Sequence, residues 1–275
     1  MKKHTHSLWG IVVCVLLLAA VFIMSDGRNL MLNLEGLVVV VAGTIGATFI
    51  SYPKNAIQAA VKVAINSYKS RIPSGEEIVD SLLDLSIKSR IDGLLALEEE
   101  GERSSVLFLE RALSMLVDGF SQEDMRDALY TEINFFQQRR NQHERVFRHM
   151  ALLAPAFGVA GGVIGLIGML GGIKDSAVIL HTIPVALTST LYGVLMAYFL
   201  CIPVAENIHA KTEEELLILK LITDGVTLIG QEYNTLRLQT RLQSFVTPQL
   251  RTLQHKSLKE IRSRYAQMKS DSLNR

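Results

Sequence analysis

The chain has 275 residues, 49% hydrophobic and 20% charged, with a mean hydropathy of +0.26. That balance excludes disorder and is too apolar for an ordinary water-soluble domain. A net charge of +1 gives no overall field to recruit nucleic acid. Cys14 and Cys201, the two cysteines, both lie in apolar runs, which excludes a disulfide scaffold or a cysteine-rich zinc domain.

In chain order, four stretches free of Asp, Glu, Lys and Arg are long enough to cross a bilayer core of about 30 Å: residues 7–25, 36–53, 150–173 and 182–205. They lack the alternation of barrel strands, so helices are the expected spanning form. The expected fold is an all-α polytopic membrane protein with four transmembrane helices. The two lysines ahead of the first run resemble a signal peptide, but no small-x-small site precedes Asp26, which points to a retained span. The short hairpin loops, 26–35 and 174–181, hold only Arg28 and Lys174; all other Lys and Arg flank the opposite helix ends. The positive-inside rule then places both termini and the large middle segment in the cytoplasm. Four segments follow: an N-terminal hairpin (1–53), a cytoplasmic helical domain (54–149), a second hairpin (150–205), and a cytoplasmic helix with a basic tail (206–275).

Within 54–149, Ser74 and Glu77 fit a capping box ahead of Ile78, Leu82 and Leu85. Asp92 with Gly93 and Asp118 with Gly119 read as breaks, and Ser121 with Asp124 as the next helix start. From there nothing stops a helix, which is expected to run unbroken into the third span. The fourth span is likewise expected to continue as a cytoplasmic helix to about Phe245, before Pro248. The tail from Arg251 is basic and polar; it reads as a solvated end ahead of the alternative, a segment lying on anionic lipid.

The third span carries Gly158, Gly161, Gly165, Gly168 and Gly172 at spacings that share one helical face, with Gly158 and Gly162 forming a further GxxxG pair. The fourth span answers with Ala186, Thr190, Gly193 and Ala197. Small residues let backbones approach closely in lipid. The seam serves either the packing of two helices within one subunit or packing between copies or around a central partner. Thr188, Ser189 and Thr190 place three hydroxyls in the fourth span; bonding to the carbonyl four residues earlier competes with an ion-facing role for Thr190. Pro155 and Pro203 lie near the cytoplasmic ends of their spans and read as static kinks or a paired hinge, whereas Pro184 reads as an N-terminal helix proline.

None of the four runs contains Asp, Glu, Lys, Arg or His. Proton or cation transfer through a membrane relies on such a group, so any carrier acid is expected to come from another polypeptide. Enzyme signatures are missing: there is no P-loop, no GxGxxG and no HExxH, and Ser189 with His181 lacks the spacing and oxyanion motif of a protease. No catalytic residue, metal ligand or cofactor is expected; His4 and His6 alone are thin metal candidates. An acidic cluster, Asp92, Glu98, Glu99, Glu100 and Glu102, lies between Arg90 and Arg103 and reads as a solvated face or a charged docking site.

The strings APAFG (154–158), IGL (164–166), VALTSTLYG (185–193) and IPVAE (202–206) resemble the flagellar stator A subunits, the MotA/PomA family. Arg90 with GLLALEE (93–99), and DGV (224–226), resemble that family's cytoplasmic signatures, so the likeness runs from about Val12 to Arg251. The resemblance implies an inner-membrane subunit forming a pentamer around a dimer of a B subunit, whose single transmembrane Asp carries the ion and whose outer part binds peptidoglycan. It implies rotation of the ring driven by ion flow, with cytoplasmic charges engaging a rotor switch-complex protein. On this chain it assigns Arg90, Glu98 and Glu99 to rotor contact, Pro155 and Pro203 to torque, and Thr190, with Ser189 and Gly162, to the ion pathway. Gly158, Gly161, Gly165, Ala186 and Gly193 would pack the ring and the B subunit. Where sodium-type members have threonine, this chain has Gly162, which favours H+ over Na+ as the transported ion. Further departures are Ala42 with Gly43 for a double glycine, Asn234 with Thr235 for an Asn-Pro pair, and Asn33 for an Asp. The alternative is a TolQ/ExbB-type energiser of outer-membrane processes, disfavoured by the two extra N-terminal spans and the Arg90–Glu99 signature. A membrane scaffold that conducts nothing is the third possibility.

Overall fold

The computed structural model describes residues 34–102, 106–171, 176–231 and 235–242, with residues 263 and 267; the expected first span at 7–25 and the tail from Arg251 fall outside these apart from those two positions. Every element among the described residues is helical: α1 (Leu34–Ser51), α2 (Lys54–Lys69), α3 (Gly75–Asp92), α4 (Ala96–Glu102), α5 (Leu107–Val117), α6 (Gln122–Gly171), α7 (Ser176–Leu195), a π-helical segment (Met196–Cys201), α8 (Ile202–Gly230) and α9 (Thr235–Leu242). Among the described residues three helices are long and apolar enough to cross a membrane, over Leu34–Ser51, Gln122–Leu170 and Ala186–Gly230. Their large side chains point outward: Ile50 is 89% exposed, Leu152 76% and Leu187 69%. Such exposure is costly in water and favourable against lipid or another apolar helix.

The chain divides into two compact units, one drawn from residues 1–64 and 143–207, the other from 65–142 and 208–275; α2, α6 and α8 contribute to both. The second unit has a conventional core, with Leu82, Ile87, Leu97, Leu113, Met125, Leu129, Ile133, Leu221 and Ile222 almost fully buried. Its start signals are those expected. Ser74 accepts from the Glu77 N–H at 3.2 Å while the Glu77 carboxylate accepts from the Ser74 N–H at 3.3 Å. Ser121 accepts from the Asp124 N–H at 3.1 Å and opens the 50-residue helix α6. Gly93 and Gly119 take φ of 83° and 77°, which explains both breaks, since only glycine adopts that region without strain.

The DGV string also has a local account. Asp224 accepts from Tyr130 Oη at 3.4 Å and lies 3.9 Å from the Arg126 guanidinium, and a Cβ on Gly225 would lie 2.5 Å from a Leu82 methyl. Arg140 pairs with Glu215 at 2.6 Å and lies over the Phe136 ring.

Three expectations are corrected. The helix expected to reach Phe245 stops at Gly230, a residue of low helix propensity, and α9 begins at Thr235. Pro184 is inside α7, which starts at Ser176, because residues 176–183 contain nothing that breaks a helix. The fourth apolar stretch is not α-helical throughout: at Met196–Cys201 the backbone widens, and the Ile202 N–H donates to the Ala197 carbonyl five residues earlier. Pro203, two residues after that segment, has no N–H to give, and the wider turn accommodates the missing bond.

Candidate functional site

The first unit contains a three-helix seam built from small residues. On α6, Gly158, Gly161 and Gly162 are buried; on α7, so are Ala186, Thr188, Ser189 and Gly193. A Cβ on Gly158 would stand 3.0 Å from the Ser189 carbonyl oxygen and 3.2 Å from the Thr190 Cα. One on Gly162 would stand 2.9 Å from the Ala186 carbonyl oxygen and 3.4 Å from Thr190 Oγ1, and one on Gly193 would stand 2.5 Å from the Ala154 carbonyl oxygen. Apart from Thr190 Oγ1 these obstacles are backbone atoms, which no side-chain rotation relieves. Gly165 is looser, 3.5 Å from Ala186, and Gly168 meets nothing within 4 Å. The seam therefore closes between Gly158 and Gly162 and opens beyond Gly165; Gly172 is outside the described residues.

The third helix is α1. Gly36 sits against Ser189, with a Cβ there 3.1 Å from the Ser189 Cβ. A Cβ on Gly161 would fall on Ser189 Oγ and 3.3 Å from a Val39 methyl, and the Phe157 ring occupies the space a Cβ on Gly43 would need. Gly43 is thus the half of the double-glycine position that packing demands, while Ala42 beside it is exposed. Ser189 and Thr190 serve different neighbours. Ser189 is fully buried between α1 and Gly161, and its hydroxyl has no hydrogen-bond partner among the described residues. Thr190 is half-buried, and its hydroxyl lies 3.4 Å from both the Gly158 and the Ala186 carbonyl oxygens, at the long limit of a hydrogen bond. Gly158, Gly161, Gly165, Ala186 and Gly193 take part in close approach within the chain, between α6 and α7 and, at Gly161, also against α1.

Pro155 lies in α6 without ending it, and its Cα is 3.0 Å from a Cβ built on Gly193. Pro203 is ten positions beyond Gly193 on the same run of helix, roughly 15 Å at 1.5 Å per residue. The two prolines do not face each other. Between these levels the contact is made by Ala151, Ala154, Ala197 and Cys201.

A polar layer borders the seam at the ends of the spans. Arg148 donates through Nε to Glu144 at 2.6 Å and through Nη2 to Glu206 at 2.9 Å, joining α6 to α8. The Glu144 hydrogen bond is the main reason the Arg148 guanidinium is held above its ordinary pKa. His149 Nε2 lies 3.1 Å from Ser51 Oγ, and its ring packs edge-on against Tyr52 at 5.5 Å. Of this layer, the Glu144 and Arg148 spacing is readable as a helical i, i+4 pair; the Glu206 and His149 contacts span too much sequence to be read from it. The Glu144 side chain is only 12% exposed, so Arg148→Ala takes a 2.6 Å ion pair away from a largely buried carboxylate. Discounted for the half-open guanidinium, the expected loss is about 1–2 kcal/mol. A double-mutant cycle with Glu144→Gln, read by thermal unfolding, should recover most of it.

In the second unit, Arg90 is exposed in the last turn of α3, and Glu98 and Glu99 are exposed in the first turn of α4. The Gly93 turn lies between them, and Lys88 holds α3 to α4 through Glu100 at 2.7 Å. Among the described residues no group of three or more His, Cys, Asp or Glu is arranged to hold a metal ion.

The chain is matched by proteins of known family. The model of the MotA/TolQ/ExbB proton channel family matches residues 101–220. A motility protein A of Treponema phagedenis is 34% identical over 78% of this chain and 83% of its own length, and that of Borreliella burgdorferi 30% identical over 91% and 96%. The chain belongs to the motility protein A branch of this family. Its function is that of a flagellar stator subunit. The solved flagellar MotAB stator complex of Bacillus subtilis contains a chain 27% identical to it, with a TM-score of 0.83 over 89% of this chain and 97% of that one. Matches over nearly the whole length of motility proteins favour the stator reading over the TolQ/ExbB alternative.

Proposed function

We propose that this motility protein A relative forms a pentameric ring around a dimer of a B subunit in the bacterial inner membrane, both termini cytoplasmic, and couples H+ flow to rotation. The observation that carries this reading is the chemistry of the seam. Three apolar helices close on one another with hydroxyls and carbonyls, and no acid or base lies in the packed stretch; Glu35 in the outer turn of α1 and His181 in α7 come before it. An ion path along such a wall needs a titrating group from a second chain. The likeness to a chain of the MotAB complex supports a B partner bearing one transmembrane Asp and a peptidoglycan-binding domain.

Within this reading, Thr190 is the pore hydroxyl. Gly162 supports proton over sodium coupling, because a threonine there would bring its Cβ within 2.9 Å of the Ala186 carbonyl oxygen, leaving a second hydroxyl no room without spreading the helices. Pro155 and Pro203 act as two separate points of flexure. Arg90, Glu98 and Glu99 form the surface that meets the rotor's switch-complex protein. Reversing one charge there tests the assignment: Arg90→Glu is expected to reduce swimming sharply with normal membrane levels, and an opposite reversal on the rotor partner to restore part of it. Unchanged swimming in Arg90→Glu would remove this surface from the account.

A further inference from the structure

The second unit holds a cavity of about 530 Å³ that the stator mechanism does not use. Its volume falls in the range of small-molecule sites. The connection ahead of α3, the start of α5, and the faces of α6 and α8 line it, and Ile72, Phe108, Phe136 and Leu219 give it an apolar wall. Four charged side chains also line it, Arg71, Glu132, Arg139 and Glu215. Three are matched: Arg71 by Glu77 at 3.0 Å, Glu132 by Arg111 at 2.7 Å, and Glu215 by Arg140 at 2.6 Å. Arg139, an exposed residue, has no ion pair or hydrogen bond among the described residues, so once the three pairs are set aside one positive charge is left beside the cavity. Helix α5 adds to it, since its positive end lies at the cavity: Val106 gives no side-chain cap, and Leu107 and Phe108 of its first turn are lining residues.

We propose that this cavity binds a small amphipathic monoanion, its acyl or aromatic body against the apolar wall and its carboxylate or sulfonate on Arg139. The apolar wall favours an occupant with an apolar body over a bare inorganic anion. An occupant would touch four segments of one unit, among them the connection leading into α3, whose last turn carries Arg90.

Calorimetric titration of the full-length chain in lipid nanodiscs with sodium octanoate, and separately with 1-octanol, tests this. Lipid partition contributes equally to every variant, so differences between variants report the cavity. Saturable octanoate binding is expected in the unsubstituted chain, at least tenfold weaker in Arg139→Glu and in Leu219→Trp, which fills the cavity. Arg145→Glu, an exposed arginine of the same helix outside the lining, should bind as the parent does, and 1-octanol should bind at least tenfold more weakly than octanoate. Equal heats in the parent and Arg139→Glu, or octanol binding as tightly as octanoate, would overturn the proposal.

Discussion

Gly193→Ala is expected to abolish swimming while the chain still reaches the membrane. The added methyl would stand 2.5 Å from the Ala154 carbonyl oxygen, 3.0 Å from the Pro155 Cα and 3.1 Å from the Gly158 Cα. Because all three are backbone atoms, α6 and α7 must separate. Overpacking of this kind costs about 1–3 kcal/mol, and here it falls at the level of Pro155 and next to the Thr190 contact with Gly158. Swimming halos, membrane levels and detergent-solubilised melting temperature together measure it. Gly168→Ala is the internal control: with nothing within 4 Å, it should leave the melting temperature unchanged. Equal effects of the two substitutions would mean that the seam is not where the helices are held.

Thr190→Val is expected to cut ion flux by roughly tenfold to a hundredfold, the range for loss of one polar group worth about 1–3 kcal/mol in the conducting state. The substitution keeps the β-branched shape and removes only the hydroxyl, whose two contacts in the subunit are long at 3.4 Å. Folding and assembly should therefore survive, and the deficit should lie in conduction. Ser189→Ala provides the contrast, since its hydroxyl is fully buried without a partner among the described residues and its loss should be neutral or slightly stabilising. If Ser189→Ala blocks flux and Thr190→Val does not, the roles of the two residues are exchanged.

The legible and illegible parts of this molecule divide by the range of the interactions involved. Caps and breaks at Ser74, Gly93, Gly119 and Ser121 are set within a few residues, and the 50-residue α6 follows from the lack of any break after Ser121. The small-residue face of α6 is also visible as spacing. Its partners are not: spacing cannot tell that Gly36 and Ser189 meet, that Phe157 fills the gap at Gly43, or that the seam ends beyond Gly165. The π-helical turn before Pro203 escaped for a related reason. A proline announces a missing hydrogen bond, but whether the helix kinks or widens depends on how Ala197 and Cys201 pack on Ala151 and Ala154. Function was legible through what is lacking, an acid or base along the packed helices, joined to the strings around Pro155, Thr190 and Pro203.

Proton flux into liposomes tests the central claim, that this chain supplies the walls of an ion path and a partner supplies the titrating group. In sodium-free buffer, with a proton gradient and a pH-sensitive dye inside, vesicles holding this chain alone are expected to match empty vesicles. Vesicles holding it with its B partner should acidify, and replacing the partner's membrane Asp by Asn should abolish that acidification. Rapid acidification by this chain alone would contradict the account.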